Sequence, residues 1–332
     1  MTVASRKGVD FRPDRDIPDL TGKVIIVTGG MLLCFEDVEH QAHILTSPSA
    51  TGGLGKEIAI ALAKKHPKQI YLAARNVEKC QAFIDEVHQK LPDAPLSALE
   101  CDLASLKSVQ QAARKFASLS SRLDILIGSA GLMAVPLGLT QDGYEIQFGT
   151  NHLGHALLIK LLLPTMQRTF QEPNGDTRIV LMTSQGMGLH PAGGIRFDEL
   201  RTKQDNLLLA RWQLYGQSKL ANLLYAAELP RRYPQITAAS VHPGTINTGL
   251  VTGLGFWDRA LVKVTNVGGM VTPEEGVRNP LWAATAPKDT IVDGEYYEPV
   301  GMPGKHARLS RSRELAARLW DWTEKELESY HL

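Results

Sequence analysis

The chain has little cysteine: Cys34, Cys80 and Cys101 are odd in number among 332 residues and lack Cys-x-x-Cys spacing. That usage suits buried or incidental thiols in a reducing, cytoplasmic setting rather than a disulfide framework. It also lacks an excess of either charge. Lys plus Arg is 36 against 35 for Asp plus Glu, a formal net charge of +1, so no global field recruits nucleic acid or an anionic membrane. No long hydrophobic run is present. The most apolar stretch, Leu157 to Leu163, is broken by Lys160 and followed by Pro164, well short of the ~20 residues that span a bilayer. Residues 1–19 carry Arg6, Lys7, Arg12 and Arg15 and no apolar h-region of a secretory signal, so a polar surface arm is expected there. Residues 20–332 show no repeat, low-complexity tract or linker, and 43% hydrophobic with 21% charged residues is ordinary for one globular domain of enzyme size.

What is present is a regular alternation. Lys23 to Thr28 is a short apolar run rich in β-branched residues and ends in Gly29-Gly30, as a buried parallel strand does. Runs of the same kind are Gln69 to Ala73, Asp124 to Ile127, Arg178 to Met182 and Ala238 to Val241. Helical patterns lie between them at Leu54 to Lys65, Val77 to Leu91, Leu106 to Ala117, Tyr144 to Met166 and Trp212 to Tyr233, and Glu314 to Glu328 reads as a closing helix. Such alternation predicts an α/β fold, a doubly wound parallel sheet with helices on both faces and ligands beyond the carboxyl ends of the strands.

Two stretches carry chemistry. Tyr215-Gly216-Gln217-Ser218-Lys219 places a phenol and an ammonium on one helix face, where the cation is expected to draw the tyrosine pKa down from about 10 and make Tyr215 a proton-transfer group. The second is interrupted. Thr28-Gly29-Gly30 is followed by Met31 to Ala50, and only then by Thr51-Gly52-Gly53-Leu54-Gly55-Lys56. Without those twenty residues the segment is a compact glycine-rich turn in which backbone N–H groups and a helix N-terminus meet phosphate.

With that excision the chain resembles the short-chain dehydrogenase/reductase family, a Rossmann-like fold in a single domain. Thr28, Gly29, Gly53 and Gly55 meet its Thr-Gly-x-x-x-Gly-x-Gly pattern, with Leu54 inside the turn. Asp102 matches the family's adenine-side aspartate. Ser129-Ala130-Gly131 stands in the place of its Asn-Ala-Gly, and Asn151 in Asn-His-Leu-Gly-His matches its structural and catalytic asparagine. Ser184 matches the catalytic serine, Tyr215 and Lys219 the Tyr-x-x-x-Lys pair, and Pro243, Gly244 and Thr248 the nicotinamide-side Pro-Gly-x-x-x-Thr. The arrangement looks most like retinol-dehydrogenase-like reductases and their fungal relatives. Pro243-Gly244 and the restored glycine spacing disfavour an epimerase or dehydratase on an extended relative of the fold.

The resemblance implies hydride transfer between nicotinamide and a carbonyl or alcohol. Tyr215 would exchange the proton, Ser184 would hydrogen-bond the same oxygen, Lys219 would assist Tyr215 and hold the nicotinamide ribose, and Asn151 would hold a relay water. Taken singly, Asn151 also reads as a helix hydrogen-bonding residue and Ser184 as a turn residue. After the second strand the chain has Ala73-Ala74-Arg75-Asn76 with no acidic residue. Arg75 therefore points to the 2′-phosphate of NADP(H), with Lys56 as added charge, against the alternative of a solvated arginine. Leu250, Leu254, Phe256, Trp257, Leu261 and Val262 suggest a lid for a lipophilic small molecule; the same segment suits helix packing, a homo-oligomeric contact or a membrane surface.

Two departures from the pattern bear on activity. Ser129 replaces an asparagine whose amide ties neighbouring strands, a task a hydroxyl performs only in part. The insertion 31–50 separates the first strand from its phosphate-binding helix, which makes a catalytically silent protein of the same fold the competing reading. Its Cys34, Glu36, Asp37, Glu39, His40 and His43 match no zinc signature, so no metal is expected, and Leu32, Phe35, Val38, Ala42 and Leu45 have helical periodicity. Its codons permit a retained intron. Gly30-Met31 allows a donor-like GTATG, Leu45-Thr46 a branch-like CTAAC and Ser49-Ala50 an acceptor-like CAG, and excision in that phase restores Thr28-Gly29-Ala-Thr51-Gly52-Gly53-Leu54-Gly55.

Overall fold

Side chains alternate between two hydrophobic layers along the first strand, Val24 and Ile26 facing one and Ile25 and Val27 the other. A sheet buried on both faces follows from that period of two. The computed structural model describes residues 8–29, 53–246 and 271–332. Strands β1 (Val24–Thr28), β2 (Gln69–Ala74), β3 (Leu96–Glu100), β4 (Ile125–Gly128), β5 (Thr177–Met182), β6 (Ile236–Val241) and β7 (Tyr296–Tyr297) form one parallel sheet in the order β3-β2-β1-β4-β5-β6-β7. The described helices are α1 (Pro13–Asp16), α2 (Leu54–Ala63), α3 (Val77–Lys90), α4 (Leu106–Leu119), α5 (Ile146–Phe148), α6 (Gly154–Gln171), α7 (Ala210–Arg232), α8 (Pro273–Gly276), α9 (Arg278–Thr285) and α10 (Arg313–Glu326).

The two layers have different owners. Residues of α4, α6, α7 and α10 share one core with Val24, Ile26, Leu126, Ile179 and Leu181, while α2, α3 and α9 share the other with Ile25, Val27, Ile127, Val180 and Met182. This is the doubly wound, Rossmann-like fold. The strand order reverses between β1 and β4, which opens the crevice where such sheets hold ligands. Register puts the strand ends level: Thr28 pairs with Ala73 and Gly128, Gly128 with Leu181, and Leu181 with Ser240.

Several boundaries differ from the sequence reading. The pattern over Tyr144 to Met166 is not one α-helix: α5 leads into a π-helical turn, Gly149–Leu153, in which Gly154 N–H reaches Gly149 O five residues back before α6 continues to Gln171. One strand went unnamed as an element, the two-residue β7. Residues 8–19, expected as a polar arm, are anchored: Phe11 and Ile17 are buried in the α2/α3 core, and Val9 N–H bonds Val300 O. No helix among the described residues is long and apolar enough to cross a membrane.

Candidate active site

The first half of the site grows from the ends of β1 and β4. Gly29 has φ 78°, and a Cβ there would lie 2.6 Å from Ala130 Cα, so only glycine lets these two backbones meet. The junction is locked by hydrogen bonds. Ser129 donates its hydroxyl to Thr28 O, and Ala130 N–H bonds Thr28 Oγ1 at 3.1 Å. The hydroxyl of Ser129 thus ties β4 to β1 where an amide was expected. Across the gap in the described chain, α2 begins with Gly53 as its extended N-cap, which offers no side-chain acceptor, so its first N–H groups are available to an anion. Leu54 and Gly55 form its first turn.

Arg75 follows β2 directly, is exposed, and makes no hydrogen bond or ion pair with any described residue. Lys56, expected to add charge there, holds its Nζ 4.7 Å over the Phe83 ring. Asp102 follows β3, with Oδ1 accepting from Ala104 N–H at 2.9 Å. At the end of β6 lie half-buried Pro243 and Gly244, the latter at φ 87° against Val271. Thr248, the insertion 31–50 and the apolar segment Leu250 to Val262 lie outside the described residues.

The second half is assembled by α7, the end of β5 and the π-helical turn. Ser184 caps a short 3-10 turn, Gln185–Leu189, by accepting from Gly186 N–H, and its side chain restrains the pKa of the Tyr215 phenol. What brings the two together is a pair of glycines that the sequence reading passed over. A Cβ on Gly216 would sit 2.7 Å from both Gly186 O and His190 N, and one on Gly186 would sit 2.8 Å from the Tyr215 ring. A glycine within two residues after each of two reactive positions, Ser184 and Tyr215, was the available signal. Asn151 is buried in the π-helical turn, Oδ1 accepting from Leu132 N–H at 2.7 Å, and Nδ2 donating to Leu132 O and Ser218 Oγ, each at 2.9 Å. Gly131 lies over Asn151 and Lys219; a Cβ there would be 3.1 Å from both Asn151 Oδ1 and Lys219 Nζ.

The electrostatics correct one expectation. Burial pushes the Tyr215 phenol up from its usual value, partly offset by the Ser184 hydrogen bond. Lys219 does not override this, because its Nζ lies 5.8 Å from the Tyr215 ring centroid and donates to Met182 O at 3.2 Å. Burial lowers Lys219 itself to about 8, so its ammonium and amine forms lie close in energy near neutral pH. The structure therefore gathers Ser184, Tyr215, Lys219 and Asn151 beside the glycines of β1 and β4.

Comparison with known proteins accords with this geometry. A family model described as short chain dehydrogenase matches residues 47–195. An uncharacterized oxidoreductase of Schizosaccharomyces pombe is 37% identical over 295 residues, covering 87% of this chain and 80% of its own length. The chain belongs to the short-chain dehydrogenase/reductase family. Retinol dehydrogenase 13 of Homo sapiens is 34% identical over 303 residues, covering 89% of this chain and 86% of the human protein. Among solved structures of this fold, an uncharacterized protein from Mycobacterium paratuberculosis aligns with a TM-score of 0.68 and 27% identity over 96% of this chain and 97% of that one. The family is one of oxidoreductases that bind nicotinamide nucleotides.

Proposed function

We propose that the protein is an NADP(H)-dependent oxidoreductase acting on a lipophilic carbonyl or alcohol, with Tyr215, Ser184, Lys219 and Asn151 as its catalytic set. The observation that carries this is their convergence at the carboxyl edge of the sheet, where Gly29 lets β1 approach Ala130 and Gly131 lies against Asn151 and Lys219. Thr28, Gly29, Gly53, Leu54 and Gly55 are suited to hold the pyrophosphate, Asp102, Ala130 and Gly131 the adenosine side and its neighbouring ribose, and Pro243, Gly244 and Thr248 the nicotinamide. When bound, the dinucleotide supplies or takes up the hydride. In the reductive direction Tyr215 gives its proton to the carbonyl oxygen while Ser184 hydrogen-bonds the same atom and stabilises its growing charge. Lys219, whose Nζ lies beside Gly131, is suited to hold the nicotinamide ribose.

The lipophilic assignment rests on a small apolar cluster separate from both cores, made of Ala134, Trp212 and Tyr215 with Met133 packed against it. Trp212 meets the Tyr215 ring edge-on at 6.5 Å between centroids. A relative named for retinol, an apolar alcohol, agrees with that surface. The choice of NADP(H) rests on Arg75, a guanidinium with no described partner at the position that reads the ribose. Arg75→Glu is expected to weaken NADPH by roughly 1.5 to 3 kcal/mol, the range for a hydrogen bond to a charged group, and NADH far less. Equal losses measured for the two cofactors would contradict the assignment.

A second reading has its own support: β1 ends beside Gly29 and α2 starts after Gly53, with residues 30–52 between them. The family match starts at residue 47, downstream of β1. On this reading Met31 to Ala50 is a retained intron or an equivalent error in the coding sequence, and a chain carrying it is silent because the phosphate turn cannot close. Sequencing the transcript tests the origin of the segment. Transcripts that mostly retain these sixty nucleotides make it a genuine loop.

A further inference from the structure

The imidazole of His155 fills a slot between β4 and α6 that exists because residue 128 is glycine. A Cβ on Gly128 would lie 2.7 Å from Leu181 Cδ2 and 3.1 Å from the imidazole Cδ2. His155 is 1% exposed, and both of its ring nitrogens are engaged. Nδ1 lies 2.9 Å from Asn151 O, and Nε2 lies 2.8 Å from Thr28 Oγ1. A carbonyl only accepts, so the proton sits on Nδ1. Nε2 is then an acceptor, and Thr28 Oγ1, which already accepts from Ala130 N–H, has its own proton to donate. The hydrogen bonds thus select a single neutral tautomer.

The two ends of this bridge belong to different halves of the site. Thr28 precedes Gly29, where β1 turns toward the glycine-rich loop, and its carbonyl also receives the Ser129 hydroxyl. Asn151 sits in the π-helical turn, and its side chain runs on to Leu132 and to Ser218, whose hydroxyl donates to Tyr215 O at 2.8 Å. We propose that His155 is a positioning residue whose neutral imidazole fixes the cofactor-side strand end and the asparagine turn in one relative placement. Loss of either bond then affects a different stage of the reaction: the Thr28 bond steadies cofactor binding, and the Asn151 bond steadies the proton-transfer groups.

Two variants separate the bonds. His155→Asn keeps an N–H where Nδ1 stands and gives up Thr28, so the NADPH Kd is expected to rise about tenfold with kcat within about threefold, the loss of one hydrogen bond. His155→Gln sets a carbonyl oxygen near the place of Nε2 and gives up Asn151, so kcat is expected to fall about tenfold with Kd within about threefold. Parallel changes in both variants, or changes in thermal stability alone, overturn the positioning role.

This kinetic arm rests on the oxidoreductase reading, whereas a spectroscopic arm does not. In the full chain, the imidazole nitrogen spectrum of His155 is expected to show an Nδ1–H tautomer, with an Nε2 resonance that Thr28→Val shifts and Thr28→Ser leaves in place. An Nε2–H tautomer, or an Nε2 signal indifferent to Thr28→Val, overturns the bridge. If the chain binds no NADPH, the functional reading fails by itself and these nitrogen signals still decide whether the bridge exists.

Discussion

At the scale of single residues, Tyr215 is set up as an acid that keeps its proton until a substrate oxygen needs it. Burial raises its pKa, the Ser184 hydrogen bond restrains the rise, and the Lys219 ammonium stands to one side of the ring. Tyr215→Phe is therefore expected to lower turnover by about 10²–10⁴-fold, the usual worth of general acid–base catalysis, with NADPH affinity nearly unchanged. Parallel turnover and binding measurements check this, and a variant retaining more than about a tenth of the activity would remove Tyr215 from its role. The identity of the reactive residues was legible because each belongs to a local pattern of type and spacing. Their electrostatics were not. The expected fall of the Tyr215 pKa assumed a close ammonium, whereas the fold places Met182 O where Lys219 donates, and nothing local encodes that contact. His155 escaped for a related reason, since its partners Thr28 and Asn151 are brought to it by the sheet and the π-helical turn.

At the scale of elements, the approach of α7 to the turn after β5 decides whether Ser184 and Tyr215 meet. Gly216 contacts backbone rather than flexible side-chain ends, so the turn has little room to yield. Gly216→Ala is expected to cost about 1–3 kcal/mol of stability, as overpacking does, and to reduce turnover more than NADPH affinity by moving Ser184 from the phenol. Denaturant unfolding alongside steady-state kinetics checks both parts; unchanged stability and unchanged turnover would show that the glycine contact does not set the site. The main strands and long helices were legible from hydrophobic period, and the structure adds the caps Asn76 on α3 and Ser105 on α4. β7 has two residues and no period to read. The π-helical turn has the same apolar spacing as the helix around it, and only the widened hydrogen bond from Gly154 to Gly149 distinguishes it.

At the scale of the whole molecule, α10 packs against the elements that carry the site. The Trp320 ring of α10 stacks on Tyr225 of α7 at 4.8 Å, and Thr323 of the same helix meets His152 beside Asn151. The sheet that organises all of this was readable from alternation alone, whereas the insertion between Gly29 and Gly53 lies outside the described residues. The account stands or falls on cofactor binding, and the most direct measurement is a fluorescence titration of NADPH into the full chain and into a chain lacking residues 31–50. The shortened chain is predicted to bind NADPH saturably and more tightly than the full chain, since its glycine turn can close on the pyrophosphate. Equal affinity would show that the insertion is no obstacle, and the absence of saturable binding by either chain at millimolar NADPH would contradict the account at its centre.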